Sequence, residues 1–154
     1  MGRRSYTATV ETSAPRAQLW LLLADVVSWP SWTPTMNSVR TTDGQVLAQG
    51  ATFVVKQPGL PAATFEVTSF VEGKAFTWVS SSSGVTTVAE HMLADVGDGR
   101  TRVELSLEMS GPAVGLLWLL MGRKVRDFVD TEARCLVRAS ESGVPDPTRE
   151  EKPT

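Results

Sequence analysis

His91 is the single histidine of the chain, and no other side chain here has an unperturbed pKa so close to neutral. It lies in a run of alternating polarity, 85–96. There Val85, Thr87, Ala89, His91 and Leu93 share one face, and Thr86, Val88, Glu90 and Met92 share the other. Leu93 belongs with a core, so the His91 face is expected to turn inward. An imidazole so placed acts as a general acid or base, or donates a hydrogen bond to a ligand carbonyl. The competing reading is a histidine satisfied by its strand neighbours or left at the surface. A nucleophile–base–orienter set finds no support, because no acid follows on the His91 face before Asp95.

The residues around it favour binding over chemistry. Phe76, Trp78 and Ser80 alternate onto one face of a neighbouring run, and Val103, Leu105, Leu107 and Met109 onto one face of another. Aromatic rings supply a large apolar area with a polar N–H handle, which suits a flat, apolar ligand or a plain core. Of the five tryptophans, Trp32 and Trp78 are placed at the cavity and Trp20 in the core. The expected ligand-binding set is Trp32, Phe65, Phe76, Trp78, Ser80, Thr87, His91, Leu105, Leu107 and Phe128, with Ser80, Thr87 and His91 orienting the ligand. Glu132 falls on the apolar stripe of a helix, where it reaches the cavity or snorkels to its edge. Cys135 reads as an inert core thiol, since the cations near it, Arg134 and Arg138, are at the surface. With one histidine and one cysteine, neither a zinc cluster nor a disulfide can form, and no metal or cofactor is expected.

Composition narrows the class further. The 154 residues are 42% hydrophobic and 21% charged, which suits one globular domain with a sizeable core. A net charge of −2 without any basic block argues against nucleic acid as a partner. A lone cysteine fits a reducing, cytoplasmic setting. Arg3 and Arg4 stand too far from the apolar run 19–27, with Glu11 between, for a signal peptide. No apolar run is long enough for a transmembrane segment.

These residues need elements to position them. The alternation over 5–11 predicts a first strand. Thr12 or Ser13 is then expected to cap a helix with Pro15 in its first turn and Leu19, Trp20, Leu23, Val26 and Val27 on one face. Ser28 is expected to start a second short helix with Trp29, Pro30 and Trp32, which Pro34 closes. Six strands follow at 36–42, 52–57, 63–70, 76–81, 85–96 and 102–109, parted by turn signals such as Asp43-Gly44, Pro58-Gly59 and Gly97-Asp98-Gly99. A long helix over 113–142 closes the domain, with Val125, Phe128 or Val129, Glu132, Leu136 and Ala139 as its buried stripe, Arg123 pairing with Asp127, and a kink or break at Gly122. The domain spans 1–143, and 144–154, rich in proline and acidic residues, reads as a disordered tail. The segment 116–121, Leu-Leu-Trp-Leu-Leu-Met, is apolar all round and reads as a lid, a homodimer contact or a membrane-surface contact.

One strand, two helices, six strands and a long helix make an α+β, helix-grip fold, a curved seven-stranded antiparallel sheet wrapped around the long C-terminal helix. The opening SAPRAQLWLLLADVVSWPSWTP, the Gly50-Ala51-Thr52-Phe53 step, the Gly99-Arg100-Thr101-Arg102-Val103 hairpin and the helix GRKVRDFVDTEARCLVR together resemble the START-like, or Bet v 1-like, superfamily, in its polyketide cyclase/dehydrase and lipid-transport group. The resemblance covers residues 5–142. It implies a hollow fold that holds a small hydrophobic molecule, a lipid, polyketide or aromatic metabolite, between the sheet and the C-terminal helix. It also implies a rival, a polyketide aromatase/cyclase using His91 as acid/base. The third reading is a partner-regulating or dimerisation module acting through 116–121.

Overall fold

The structure, a computed structural model, describes residues 2–42 and 44–142. The expected tail at 144–154 lies outside the described residues. The element order is β1 (Gly2–Thr12), α1 (Arg16–Ala24), a 3-10 turn (Val26–Ser31), then β2 (Ser38–Thr41), β3 (Thr52–Lys56), β4 (Ala63–Val71), β5 (Ala75–Ser82), β6 (Val85–Gly97), β7 (Arg100–Gly111) and finally α2 (Val114–Ser142). This is the expected sequence of elements, with most boundaries moved by a residue or two.

The seven strands form one antiparallel sheet in the order β1-β7-β6-β5-β4-β3-β2. Strands β2 to β7 follow one another as a meander, while β1 pairs with β7 along its whole length, from Gly2 opposite Gly111 to Thr12 opposite Thr101. Two tight hairpins set the register of the long central strands. Ser83 and Gly84 have φ of 53° and 77°, and Asp98 and Gly99 have 54° and 72°. Two successive residues in the left-handed region match the twist of the flanking strands, which is why a glycine occupies the second position of each turn. A bulge between Val67 and Ser69 shifts the β4–β5 register, as bulges do where a sheet must bend.

The concave face of the sheet carries the core: Phe53, Val55, Val67, Phe76, Trp78, Leu93, Val103 and Leu105, all buried. Leu19 and Leu23 of α1, and Val129, Ala133 and Leu136 of α2, meet it from the other side. The stripe on α2 is thus the expected one rotated slightly, with Val129 rather than Phe128 inward and Ser140 rather than Ala139 buried. The helix runs unbroken through Gly122. A Cβ on that glycine would lie 3.1 Å from the Trp118 indole, so the missing side chain makes room for a ring and does not end a helix. The expected Arg123–Asp127 pair is not formed. Asp130 instead accepts a hydrogen bond from the Tyr6 hydroxyl at 2.7 Å, tying α2 to β1.

The start of α1 also differs from expectation. Pro15 is the cap and offers no side-chain hydrogen bond. Thr12 Oγ1 accepts from the Ala14 N–H at 3.1 Å, and Thr101 Oγ1 donates to the Ala14 carbonyl at 2.9 Å. Two buried threonines thereby satisfy the backbone just ahead of the helix, where an unpaired polar group is costly. The second helix is a 3-10 turn that begins at Val26, before Ser28, and ends with Trp32 as its cap.

Candidate functional site

His91 lies on β6 directly opposite Phe76 on β5 and Leu105 on β7. The pairing with Phe76 stacks the two rings, 4.1 Å between centroids and 13° from parallel. Trp29 and Trp78 present to the imidazole at 5.4 and 5.6 Å, both edge-to-face. His91 Nδ1 is 3.2 Å from the Phe76 carbonyl oxygen. A carbonyl only accepts, so Nδ1 carries the proton and, in the neutral ring, Nε2 keeps its lone pair. That lone pair faces α2, where the Glu132 carboxyl lies 3.8 Å from Nε2, beyond hydrogen-bond distance.

Both groups are buried, at 4% exposure for His91 and 8% for Glu132. Burial disfavours the charged form of each. It holds the imidazole down to about 4, against a weaker opposing pull from the Phe76 carbonyl. It pushes the Glu132 carboxyl up to about 8. At neutral pH the site therefore holds a neutral imidazole with a free acceptor beside a carboxyl that still has its proton. That is a base and an acid set side by side by one cause, removal from water. The two border a cavity of about 40 Å³, closed by Ala89 and Glu90 of β6, Leu105, Ser106 and Leu107 of β7, and Val129 of α2.

The surrounding rings form one cluster with Trp29 at its centre. Its ring centroid lies 5.6 Å from Trp32, 6.2 Å from Phe76 and 5.4 Å from Trp78. Its Nε1 donates to the Leu23 carbonyl at 3.0 Å, which fixes the 3-10 turn against α1. Trp32 Nε1, by contrast, is buried without a hydrogen-bond partner.

The structure thus gathers Trp32, Phe65, Phe76, Trp78, His91, Leu105 and Leu107 in one region, with Phe65 reaching Trp78 at 5.2 Å. Ser80 and Thr87 face each other four residues along β5 and β6 from the Phe76–His91 pair and do not border the 40 Å³ cavity. Phe128 stands apart, half-buried beneath the Lys124 ammonium at 5.5 Å. The partner that sequence reasoning does not pair with His91 is Glu132, which arrives from a different element. Its one signal was an acid on an apolar helical stripe. Cys135 is free and half-buried. Among the described residues no group of three or more His, Cys, Asp or Glu side chains is placed to hold a metal ion.

A second, larger hollow of about 510 Å³ opens between α1 with its 3-10 turn and the β2–β3 connection. Trp20, Leu21, Val26, Val27, Val46, Leu47 and Phe53 line it, and its charged groups are Asp25 and Glu72. Trp20 is thus both core and wall, packed at 5.8 Å against Phe70.

The sequence profile of the polyketide cyclase / dehydrase and lipid transport family matches residues 3–141. The chain belongs to that family. No curated protein matches the chain by sequence. Among solved structures, this family member is similar to hypothetical protein jhp0584 from Helicobacter pylori, at 15% identity and a TM-score of 0.76 over 90% of this chain and 88% of that one. It is similar to Ara h 8.0201, at 12% identity and 0.71 over 92% and 100%. It is also similar to the Zhui aromatase/cyclase from Streptomyces sp. R1128, at 16% identity and 0.68 over 94% and 98%. At such identities the likeness is one of fold, and the fold is the helix grip. Among the described residues no helix is long and apolar enough to cross a membrane.

Proposed function

We propose that this chain binds a small, mostly apolar molecule carrying at least one carbonyl or hydroxyl, in the space between the sheet and α2, with the polar end of the ligand at His91 and Glu132. The observation that carries this reading is that pair: two buried titratable groups, 3.8 Å apart and without a hydrogen bond between them, bordering a cavity between sheet and helix. His91 Nε2 and the Glu132 carboxyl have hydrogen-bonding capacity left over, and a ligand oxygen placed between them would use it. The unpaired, buried N–H of Trp32, whose ring lies 5.6 Å from that of Trp29, offers a further donor. Space of about 40 Å³ beside the pair suffices for water-sized occupancy. A larger ligand enters by displacing Leu107 and Val129, aliphatic side chains that face the cavity from sheet and helix.

Native mass spectrometry of the protein as purified tests the reading. A small molecule is expected to travel with the wild type and to be lost from Ala89→Phe, which fills the space beside His91. An empty wild type that no apolar carbonyl compound stabilises against heat overturns it.

The His91–Glu132 pair, set at 3.8 Å with opposed protonation, favours a second reading, proton transfer of the polyketide aromatase/cyclase type; the similar Streptomyces protein is named an aromatase/cyclase. His91 Nε2 would take a proton from the carbon beside a ketone while the Glu132 carboxyl gives its proton to the ketone oxygen, leaving an enol that attacks a second carbonyl. The imidazolium then returns its proton to the new alkoxide, and the enol hydroxyl returns one to Glu132. Exchange of deuterium from solvent into pentane-2,4-dione would read the first step. His91→Leu is expected to slow it by about a hundredfold or more, the usual scale of general-base catalysis. An unchanged rate leaves the protein a binder.

A further inference from the structure

The first two turns of α2 turn their leucines outward. Leu116, Leu119 and Leu120 are 65%, 81% and 73% exposed. Their i, i+3, i+4 spacing puts them on one helical face, and Arg123, also exposed, continues it at i+7. Trp118 sits beside them, half-buried, with the Arg126 guanidinium 5.9 Å from its ring centre.

Cations outnumber acids around this tip, where Glu108 and Asp127 are the nearest acids in sequence. Residues 110–126 contain Arg123, Lys124 and Arg126 and no acidic residue. The first strand brings two more cations alongside, because Gly2 abuts the start of α2: a Cβ there would lie 2.6 Å from Val114 Cγ1. Arg3 and Arg4 follow it, both exposed, and neither has an acidic neighbour in sequence before Glu11. Arg3 makes a loose pair with Glu108 at 3.6 Å. On the other flank Lys124 lies against Gly59, in the connection after β3. A chain of net charge −2 thus places five of its 15 cations, Arg3, Arg4, Arg123, Lys124 and Arg126, around one apolar tip.

We propose that this end of the molecule docks on an anionic lipid bilayer, with Leu116, Leu119 and Leu120 entering the interface and the surrounding arginines and Lys124 meeting lipid phosphates and carboxylates. The chemistry favours a bilayer over a protein partner. The leucines project from a convex helical end, so they suit a soft apolar layer that closes around them. The rim is cationic on both flanks, which matches a negatively charged surface without demanding a particular arrangement of acids. A half-buried tryptophan under a guanidinium is at home at headgroup depth.

Co-sedimentation of the full chain with vesicles tests this. The wild type is expected to sediment with vesicles of phosphatidylcholine mixed with phosphatidylserine, less so at high salt, and only weakly with phosphatidylcholine alone. Leu119→Glu with Leu120→Glu is expected to lower binding to the mixed vesicles by at least about tenfold, since two buried apolar side chains are lost and like charge is added. Arg123→Ala with Arg126→Ala is expected to cost roughly fivefold per arginine on the mixed vesicles and to leave the weak binding to phosphatidylcholine unchanged. The leucines are exposed, so the unfolding transition of the Glu variant should stay near that of the wild type and show that folding is intact. The proposal is overturned if the wild type ignores mixed vesicles, or if the leucine variant binds them as well as the wild type does. It is equally overturned if the leucines instead drive self-association, seen by analytical ultracentrifugation, without vesicle binding.

Discussion

The molecule has two hollows, and they differ in kind as much as in size. The outer one, about 510 Å³ between α1 and the β2–β3 connection, is open and lined by valine, leucine and tryptophan, with Asp25 and Glu72 as the charged groups among the described residues. The inner one is about 40 Å³, yet an imidazole and a carboxyl converge on it. Volume decides what can enter a site. The inner hollow holds groups whose charge state is changed by where they are, and those groups decide what can be recognised or transformed there. The contrast follows from the architecture. The outer hollow forms where a short helical wedge rests on a sheet edge, so its walls are ordinary amphipathic surface. The inner one forms where the longest helix crosses the two longest strands, so any polar residue on the crossing is stripped of water.

The largest effect expected from this contrast concerns rigidity. Trp29→Ala removes a fully buried indole that touches Trp32, Phe76, Trp78 and His91 and leaves the Leu23 carbonyl without its donor. A loss of about 3–5 kcal/mol is expected from chemical denaturation, the range for large aromatic deletions. A loss under about 1 kcal/mol would mean that the ring cluster is loosely packed and that the inner site is not preorganised.

The next effect concerns pH. Glu132 has its folded pKa raised to about 8 from 4.5, so its stabilising influence is complete below 4.5 and is lost as pH rises towards 8. His91 has its folded pKa lowered to about 4 from 6.5, so its influence is complete above 6.5 and is lost as pH falls towards 4. Between 4.5 and 6.5 the two slopes oppose and cancel. Above 6.5 only Glu132 acts, and stability is expected to fall by about 2 kcal/mol by pH 8, at 1.36 kcal/mol per unit. Glu132→Gln should abolish that alkaline decline and uncover the His91 limb, so that stability rises with pH between about 4 and 6.5, where the wild type is nearly flat. Denaturant titrations across pH read both limbs. A decline that persists in the glutamine variant would place its origin elsewhere.

How far the inner site was legible depended on the range of the interaction that builds it. Alternation is local, so the inward face of β6 followed from Leu93 sharing it with His91, and the Phe76–Trp78 face followed the same way. The meeting of His91 with Glu132 was not local. It depends on where along β6 and β7 the helix α2 crosses and on its rotation about its own axis, and neither is encoded in spacing between residues 91 and 132. The choice between Phe128 and Val129 for the buried stripe, settled in favour of Val129, has the same origin. Trp29 was hidden for another reason: a 3-10 turn with an internal proline has no helical period from which to read a buried side. Gly122 shows tertiary packing overriding propensity, since the glycine that predicts a break serves to seat Trp118.

The smallest expected effect bears on the outer hollow and tests the contrast from its weak side. Leu21 and Val46 are 73% and 81% exposed, so replacing each with serine removes little that folding has buried, and stability should move by less than about 0.5 kcal/mol. If the outer hollow were the ligand site, these two substitutions would strip apolar wall from it and weaken retention of a bound molecule. If the ligand lies at His91 and Glu132, the small molecule seen by native mass spectrometry should survive Leu21→Ser with Val46→Ser and vanish with Ala89→Phe. The two variants separate the hollows because they change opposite quantities. One takes apolar contact from the large open space, and the other takes volume from the small polar one. An apolar surface without opposed polar groups can hold many molecules but orient none. Dependence of retention on Ala89 together with indifference to Leu21 and Val46 would therefore locate recognition where the buried acid and base face each other.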